Sequence, residues 1–421
     1  MHPLIPLGVL TALSATATAA PSDPAPAPSS LALFELAEEL QAPSGFAEAV
    51  AAGEGSLQFN YRFEEVDDDA NSQGAHASTL RTVVDFRTAM YNGWGGYVQF
   101  ENVSVIGDEA YNNASGTSSS TRPVVADPEG SELNQIYFDR TLGKSLLRVG
   151  RQDLNFHPRF VGNVGWRQNH QSFDAVSWHS QDALPADVIY AYVDNINRIF
   201  GEDGPNANVR SSAHLLNVQK ALGESTDAMV FAYLLDLDQL PGQSTATFGL
   251  RLEHVIPQEG DSAYDGLIEV AQQSDYGDNP ADVDALFYRV ELGARFGQTR
   301  LFIGQEQLGS DDGTYGFSTP LATLHGENGW ADVFLATPAD GLVDTFIGVK
   351  SNVKGTKVAA IFHEFSSDEG STDYGTELDL LATRKLRSDT LVGLKFAAYS
   401  ADDFDDDLTK LWFWITWTPG A

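Results

Sequence analysis

The stretch LFYRVELGARF (residues 286–296) carries the strongest structural pattern in the chain. Its even-numbered positions are apolar, whereas Arg289, Glu291 and Arg295 lie among the odd-numbered ones. Side chains in a β-strand point alternately to opposite faces, so a period of two predicts a strand with one apolar and one charged face. The stretches LQFNYRF (57–63) and FGLRLE (248–253) repeat the pattern. Alternation alone does not separate a soluble sandwich from a membrane barrel.

The connections between strands separate these two folds. About eighteen strand segments of roughly 9–12 residues follow Leu57, and a tilted strand of that length crosses a bilayer. Short connectors are predicted near 92–93, 141–144, 181–185, 223–226, 297–298, 351–354 and 387–389. Long connectors are predicted near 66–78, 106–131, 154–170, 194–212, 273–284 and 310–341.

This alternation of short and long connectors is typical of bacterial outer-membrane barrels. We therefore predict an all-β fold: a transmembrane antiparallel β-barrel of about 18 strands with short periplasmic turns and long extracellular loops. An even number of strands lets the last one, LWFWITW (411–417), close on the first and removes both unpaired edges.

The N-terminus predicts export. An apolar run at 4–13 is followed by the small-residue stretch SATATAA (14–20), which is typical of a signal peptide with an A-x-A cleavage site. We assign 1–19 to the signal peptide, 20–54 to a periplasmic tether and 55–421 to the outer-membrane barrel, and we expect 21–40 of the tether to be poorly ordered. The expected location is the cell outer membrane of a Gram-negative bacterium.

Composition narrows the possible functions. The 421 residues include 25 Lys and Arg against 59 Asp and Glu, a formal net charge of −34, and no cysteine. A disulfide scaffold, a thiolate metal site and a cysteine nucleophile are excluded, and a nucleic-acid partner is not expected. The sequence contains no G-x-S-x-G, H-E-x-x-H or P-loop motif, so we expect no enzyme and no cofactor.

Acidic clusters fall in the predicted outer loops, at 67–69, 311–312, 368–369, 402–403 and 405–407. Two interpretations stay open. The clusters are solvated faces, or they hold calcium or magnesium loosely and bridge to phosphates of neighbouring lipopolysaccharide. Neither interpretation gives a defined metal site.

Two segments carry a resemblance to a known family. The first comprises LRVGRQ (147–152), RFVGNVGWRQN (159–169) and SFDA (172–175); the second comprises GFSTPLATLH (316–325), GWAD (329–332), TP (337–338) and GL (341–342). Both resemble the alginate export porins, a family of outer-membrane β-barrels, and the resemblance extends over roughly 55–417. It implies an eighteen-stranded monomeric barrel.

The resemblance also implies a narrow, positively charged pore that passes an anionic polysaccharide or uronate oligomers. Arginine suits such a pore because its planar guanidinium holds a carboxylate through two hydrogen bonds. The candidate pore-lining residues are Arg148, Arg151, Arg159, Arg167, Arg251, Arg289 and Arg295. Arg148 and Arg151 are three apart, so an unbroken strand places them on opposite faces; we favour Arg151 beyond the membrane band, with Gly150 permitting a turn.

The sequence leaves several alternatives open. The arginines form a selective pore or a ladder of internal ion pairs with carboxylates such as Asp85, Glu253 and Glu291. The loop containing Thr319, Pro320, His325, Trp330 and Asp332 folds inward as a constriction or caps the mouth. Because a charge of −34 repels a polyanion, a general small-solute porin with an acidic extracellular mouth is the alternative to alginate transport. An adhesin or a passive structural barrel is a third class.

Overall fold

The computed structural model describes residues 43–116, 121–202, 204 and 207–420. The predicted signal peptide and residues 20–42 of the predicted tether lie outside this range. Eighteen of the described strands form one sheet, and two short strands, β14 and β15, form a separate hairpin. The strand bounds are β1 Glu54–Asp68, β2 Ala75–Arg87, β3 Trp94–Val105, β4 Gly130–Leu142, β5 Ser145–Gln152, β6 Ser172–Leu184, β7 Ala186–Asn197, β8 Asn208–Ala221, β9 Thr226–Leu235, β10 Thr245–Pro257, β11 Ser262–Asp275, β12 Asp284–Phe296, β13 Thr299–Leu308, β14 Ser310–Asp311, β15 Tyr315–Gly316, β16 Leu342–Val353, β17 Thr356–Ser366, β18 Asp373–Arg387, β19 Thr390–Ala401 and β20 Leu408–Trp417.

The large sheet closes on itself. Each strand pairs antiparallel with its neighbours in sequence, and β13 pairs with β16 across the intervening hairpin. Strand β1 pairs with both β2 and β20, in a register that runs from Phe59 opposite Trp417 to Asp68 opposite Leu408. Every one of the eighteen described strands thus has a neighbour on both sides, which satisfies its backbone polar groups. The predicted closed barrel of 18 antiparallel strands is confirmed.

The two ends of the barrel differ in their connections. At one end, called here the short-turn end, the strands are joined by 88–93, 143–144, 185, 222–225, 258–261, 297–298, 354–355 and 388–389. At the other, the long-loop end, they are joined by loops L1 to L9: 69–74, 106–129, 153–171, 198–207, 236–244, 276–283, 309–341, 367–372 and 402–407. L3 (153–171) and L7 (309–341) concern the function most.

The outer face of the barrel is apolar. In β12, Leu286, Val290 and Leu292 point outward and are exposed, whereas the intervening Phe287 and Glu291 point inward and are buried. Outward apolar side chains of the same kind occur around the sheet, among them Phe100, Phe138, Val230, Phe248, Ile268, Ile303, Ile347, Phe362, Leu378 and Leu394. A continuous exposed apolar band is unfavourable in water and is the surface that a membrane-spanning barrel presents to lipid.

Large rings lie flat on glycines along the inner wall. A Cβ placed on Gly393 would come within 1.9 Å of the Trp414 ring, and one on Gly348 would come within 2.3 Å of the Phe302 ring. Gly249 and Gly304 stand in the same relation to Phe231 and Phe346. In each pair the two residues are opposite each other on neighbouring strands. The absent side chain is therefore what lets the ring lie against the wall.

The described end of the predicted tether has a defined structure. Helix α1 (Phe46–Ala51) buries Ala49, whose carbonyl oxygen accepts a hydrogen bond from the Ala89 N–H in the turn between β2 and β3. This helix docks on the short-turn end, whereas the segment expected to be poorly ordered, 21–40, lies outside the described residues. Within the described residues, no helix combines the length and apolar character needed to cross a membrane.

The glycine–ring pairs predict the effect of filling one of them. Gly393→Val places a branched side chain where the Trp414 ring lies, and overpacking of this kind costs about 1–3 kcal/mol. We expect a lower unfolding temperature, measured by circular dichroism and by the loss of the fast-migrating folded band in electrophoresis. Gly130→Val is the matched control, because nothing lies within 4 Å of a Cβ there. Equal melting of the two variants would contradict the packing role.

Candidate functional site: the barrel lumen and its inner loops

Loop L3 enters the lumen and is fixed there by a buried arginine. The Arg159 guanidinium donates from Nε to Glu306 of β13 at 2.9 Å. Its other two nitrogens donate to the Thr319 hydroxyl and the Asn328 amide oxygen of L7, both at 3.1 Å. Arg159 and Glu306 are 2% and 1% exposed, so the charge pair is withdrawn from water. One side chain thus joins L3, L7 and the barrel wall.

Loop L7 folds into the lumen and contacts the inner face of strands further along the ring. The backbone N–H groups of Trp330 and Ala331 donate to the carboxylates of Asp379 and Glu377, both on β18. The Asp332 carboxylate accepts from Lys410 of β20 at 3.0 Å and from Arg167 of L3 at 3.2 Å. Glu377, Asp379 and Lys410 point into the lumen from the half of their strands nearer the long-loop end. The structure therefore places L7 inside the barrel.

The protonation of His325 follows from its two partners. Nδ1 is 2.7 Å from Asp332 Oδ1, and Nε2 is 2.7 Å from Lys395 Nζ. An ammonium group only donates, so Nε2 accepts, and Nδ1 carries the proton and donates to Asp332. Burial lowers the pKa of His325 well below its usual value; Asp332 opposes this shift, and Lys395 adds to it. His325 is neutral in this arrangement.

Asp332 is held in its charged form. Burial alone would raise its pKa, but contacts with His325, Lys410 and Arg167 outweigh burial and keep the pKa well below its usual range. The two loops therefore meet at a buried cluster with one neutral imidazole, one carboxylate and three cations around them. A group of this kind is stable only while every member keeps its partner.

Aromatic rings complete the contact between the loops. Trp166 of L3 stacks on His325 of L7 with ring centroids 4.2 Å apart, and it packs edge-on against Trp412 and Trp414 of β20. The Lys395 ammonium lies 4.2 Å from the Trp166 ring centroid and 4.0 Å from that of Trp330. Cation–π contacts strengthen where water is excluded, so these rings stabilise a lysine that would otherwise be costly to bury.

The first pair of candidate arginines lies on opposite faces of β5. Arg148 points into the lumen, where it binds Asp139 through two hydrogen bonds of 2.7 and 3.1 Å. Arg151 is opposite the exposed Ile136 and therefore points outward, where it binds Asp174 in the same way. Strand β5 remains unbroken through Gly150, although that residue has a φ of 132°. Arg151 does not line the lumen.

The other candidates on the strands point into the lumen. Arg251 binds Glu253 at 2.7 Å and Glu269 at 2.6 Å. Arg289 binds Glu291 at 3.0 Å, Glu306 at 3.2 Å and Glu327 at 2.7 Å. Both arginines are thus balanced by carboxylates in the manner of an ion-pair ladder.

Arg167 of L3 and Arg295 of β12 differ in burial and in ion pairing. Arg167 is buried between Glu64 and Asp332, at 3.0 and 3.2 Å. Arg295 is exposed at the short-turn end and forms no ion pair with any described carboxylate. Of the seven candidate arginines, Arg295 is the one that offers its charge freely to the lumen.

A second feature of L7 is a pocket between this loop and L5. It has a volume of about 310 Å³ and is lined by Thr319, Pro320 and Leu324 of L7 together with Gln243 of L5. Arg159 also lines it, with its guanidinium already bound to Glu306 and L7. Of the predicted constriction residues, Thr319, His325, Trp330 and Asp332 form the contacts that fix L7 in the lumen, and Pro320 lines this pocket.

The acidic clusters lie in the long loops and at the strand ends beside them. Asp68 accepts hydrogen bonds from the Ala70 N–H and the Asn71 amide, and Asp368 accepts one from the Ser310 N–H at 2.9 Å. These carboxylates therefore hold loop backbone in place. The described part of the chain contains no group of three or more His, Asp or Glu residues arranged to hold a metal ion.

Sequence reasoning missed the partners that fix the loops. Glu306, Asn328, Lys395 and Lys410 join L3 and L7 to the wall, yet none belongs to a motif. Arg300 was also missed, although the predicted turn at 297–298 was enough to find it. A two-residue turn places Arg295 and Arg300 opposite each other, as the structure does.

The Arg159 link predicts a double-mutant cycle. Arg159→Leu leaves the buried Glu306 short of one partner and should destabilise the folded barrel by about 3–5 kcal/mol. Adding Glu306→Gln should cost less in this background than in the wild type, because Glu306 has then already lost its closest cation and keeps only Arg289. Urea unfolding in micelles, followed by tryptophan fluorescence, measures both variants. Strictly additive effects of the two changes would show that the pair does not couple.

The buried histidines predict an acid-sensitive contact between the loops. Because the pKa of docked His325 is depressed, undocking takes up a proton below about pH 6.5, so stability present at neutral pH is lost as the pH falls, by up to about 1.4 kcal/mol per unit. Hydrogen exchange of 324–332, corrected for intrinsic rates, should rise from pH 7.5 to 5. His325→Gln should flatten this rise, leaving the share of His157 and His170, whose pKa values burial also lowers.

Several solved structures share this fold. OccAB2 of Acinetobacter baumannii aligns with a TM-score of 0.69 at 14% identity, over 87% of this chain and 98% of that chain. OpdK of Pseudomonas aeruginosa, solved with vanillate, aligns at 0.71 and 11% identity over 88% and 99%. OccK9 (OpdG) of Pseudomonas aeruginosa aligns at 0.70 and 12% identity over 88% and 99%.

These likenesses concern architecture. No family model matches the chain, and no curated protein matches it. The eighteen-stranded barrel implied by the resemblance to alginate export porins is confirmed, whereas the comparisons do not support that particular family. OpdK is an outer membrane protein of Pseudomonas aeruginosa. The fold of this chain is accordingly that of an outer-membrane β-barrel.

Proposed function

We propose that the chain forms a water-filled pore for small solutes in the outer membrane, with no enzymatic activity. The short-turn end then faces the periplasm and the long-loop end faces the outside, as in bacterial barrels. The observation that carries the proposal is the docking of L3 and L7 inside a barrel whose remaining interior is lined by charged side chains in contact with water.

The wet interior supports a pore rather than a plugged structural barrel. Arg87 and Arg289 point inward and keep 30% and 20% of their side chains exposed. Arg295 is exposed at the short-turn end. The inner wall is part of a closed sheet, so exposure there is exposure to a water-filled lumen. A side chain such as Arg87 costs little to keep charged only where water reaches it.

The docked loops favour small solutes over a polymer. L3 and L7 meet across the lumen through Arg159, Arg167 and the Trp166–His325 stack. These contacts are buried, and the hydrogen bonds of Arg159 and Arg167 to carboxylates are charge-assisted, so they hold the loops in the lumen. A polysaccharide chain needs a continuous wide path, whereas a small molecule passes through the space that the loops leave.

The charges of the lumen bear on selectivity. Arg148 shares Asp139 with Arg87, and Arg251 and Arg289 each bind more than one carboxylate. The expected arginine-lined passage for alginate-like polymers therefore has less support than a general porin with an acidic outer mouth. OpdK was solved with vanillate, a small aromatic carboxylate, and a solute of that size suits the proposed pore.

The proposal includes the surroundings of the barrel. The apolar band contacts the bilayer, and the acidic clusters of the long loops face lipopolysaccharide, where divalent cations bridge carboxylates to phosphates. We propose a monomer, because each barrel closes its own sheet and needs no second chain to satisfy its edges.

Solute flux into liposomes tests the pore. The purified full chain should admit arabinose and glucose and exclude sugars larger than a tetrasaccharide, measured as liposome swelling. In planar bilayers it should carry an ohmic ion current, and polymannuronate added to either side should not pass. An intact barrel that carries no current and admits no pentose would overturn the proposal.

A loop variant provides the control for this experiment. Trp166→Ala removes the stack on His325 and the contacts with Trp412 and Trp414, so L3 and L7 should part more often. Larger sugars should then enter, and the current should fluctuate between levels. Phe138→Ala, which removes an exposed outward ring from the apolar band, should leave both readings unchanged.

A further inference from the structure

A row of cations crosses three neighbouring strands at the short-turn end. Arg295 of β12 is opposite Arg300 of β13, and Arg300 is opposite Lys350 of β16. All three alternate in phase with buried residues such as Phe287, Phe302 and Phe346, so they point into the lumen. Like charges directly opposite one another destabilise a sheet. A row of three cations is therefore more stable when a negative charge lies close to it.

The chain supplies only part of that compensation. Arg300 binds Asp265 and also Glu291, the latter at 2.8 Å. Neither Arg295 nor Lys350 forms an ion pair with any described carboxylate. The nearby Glu291 is paired with Arg289 and Arg300 instead. Asp261, in the adjoining turn, accepts the Gly297 N–H through its carbonyl oxygen and makes no ion pair with a described cation.

Two more cations extend the row along the wall. Lys357 of β17 is in phase with the buried Ala359 and Ile361, and Lys385 of β18 is in phase with the buried Thr383. Both point inward, are exposed, and lack an ion pair among the described residues. We call Arg295, Arg300, Lys350, Lys357 and Lys385 the basic rim. It spans five consecutive strands of the sheet.

The Phe302 ring fixes the position of two cations of the rim. The Arg300 guanidinium and the Lys350 ammonium lie 5.1 and 5.2 Å from the centroid of the Phe302 ring. That ring lies flat on Gly348. Cation–π contacts of this kind fix the charged ends over a rigid surface, so the cations are arranged before any ligand arrives.

We propose that the basic rim binds a small oxyanion that carries two or more negative charges. A multivalent anion reaches several of the fixed cations at once, and its carboxylate or phosphate oxygens accept the hydrogen bonds that guanidinium and ammonium groups donate. A monovalent anion balances the charge of only one cation and leaves the other cations of the rim repelling one another. This inference rests on the proposed pore for its access route and adds the ligand class and its place at the short-turn end.

The charge distribution along the barrel agrees with this assignment. The long-loop end carries the acidic clusters, whereas the cations of the rim lie at the opposite end. An anion that reaches the short-turn end therefore meets the rim at a distance from these acidic clusters. Screening at physiological salt has a length of about 8 Å, so the attraction acts mainly inside the lumen.

Calorimetry on the full chain in neutral micelles tests the proposal, with citrate as one probe and pyrophosphate as the other. The wild type should bind at least one of them at low ionic strength, and the better probe shows whether carboxylate or phosphate is preferred. Arg295→Gln combined with Lys357→Gln should weaken that binding at least tenfold. Lys354→Gln combined with Arg384→Gln is the matched control: it removes two charges at the same end, one in a turn and one on an outward position.

The outcomes separate the rim from the pore. Absence of binding by the wild type, or equal weakening by the two double variants, would overturn the rim as a site. In planar bilayers the bound probe should reduce the current more strongly from one side than from the other, and only in proteins that retain the rim. A wild type that binds the probe yet carries no current would refute the proposed pore while leaving the rim in place.

Discussion

The closed ring of hydrogen-bonded strands is the constraint on which the rest of the structure depends. Because β1 bonds to β20, every inward side chain faces an enclosed lumen that it shares with the chain's own loops. Charged groups are acceptable there if water reaches them or if they have partners. Both solutions occur: Arg87 and Arg295 keep exposed surface, whereas Arg159 and Arg167 are buried and fully paired.

The same constraint explains why two loops fold inward. L3 and L7 carry Trp166, Trp330 and Phe334, rings that water solvates poorly at the mouth of a barrel. Inside the lumen they pack on one another and on inward residues of β18 to β20. The polar groups of the loops then need wall partners, and Glu306, Glu377, Lys395 and Lys410 supply them. Packing and charge pairing therefore depend on each other.

The sequence was sufficient for the barrel and insufficient for the lumen, for a physical reason. Strand alternation and connector lengths are local patterns, so the turn at 297–298 and the pairing of Arg295 with Arg300 follow from counting. The contacts of Arg159 join residues more than 140 positions apart and leave no local pattern. Arg151 shows the limit most clearly: its resemblance-derived role placed it in the pore, yet its phase in β5 places it outside.

The glycine–ring pairs of the wall limit which substitutions the barrel can accept during evolution. Gly393 has no room for a side chain because Trp414 occupies that volume, and Gly348 stands in the same relation to Phe302. Neither partner can enlarge alone, yet a smaller ring would make room for a larger neighbour. The two positions of each pair therefore constrain each other across two strands. A larger residue at one position is tolerated only with a smaller residue at the other.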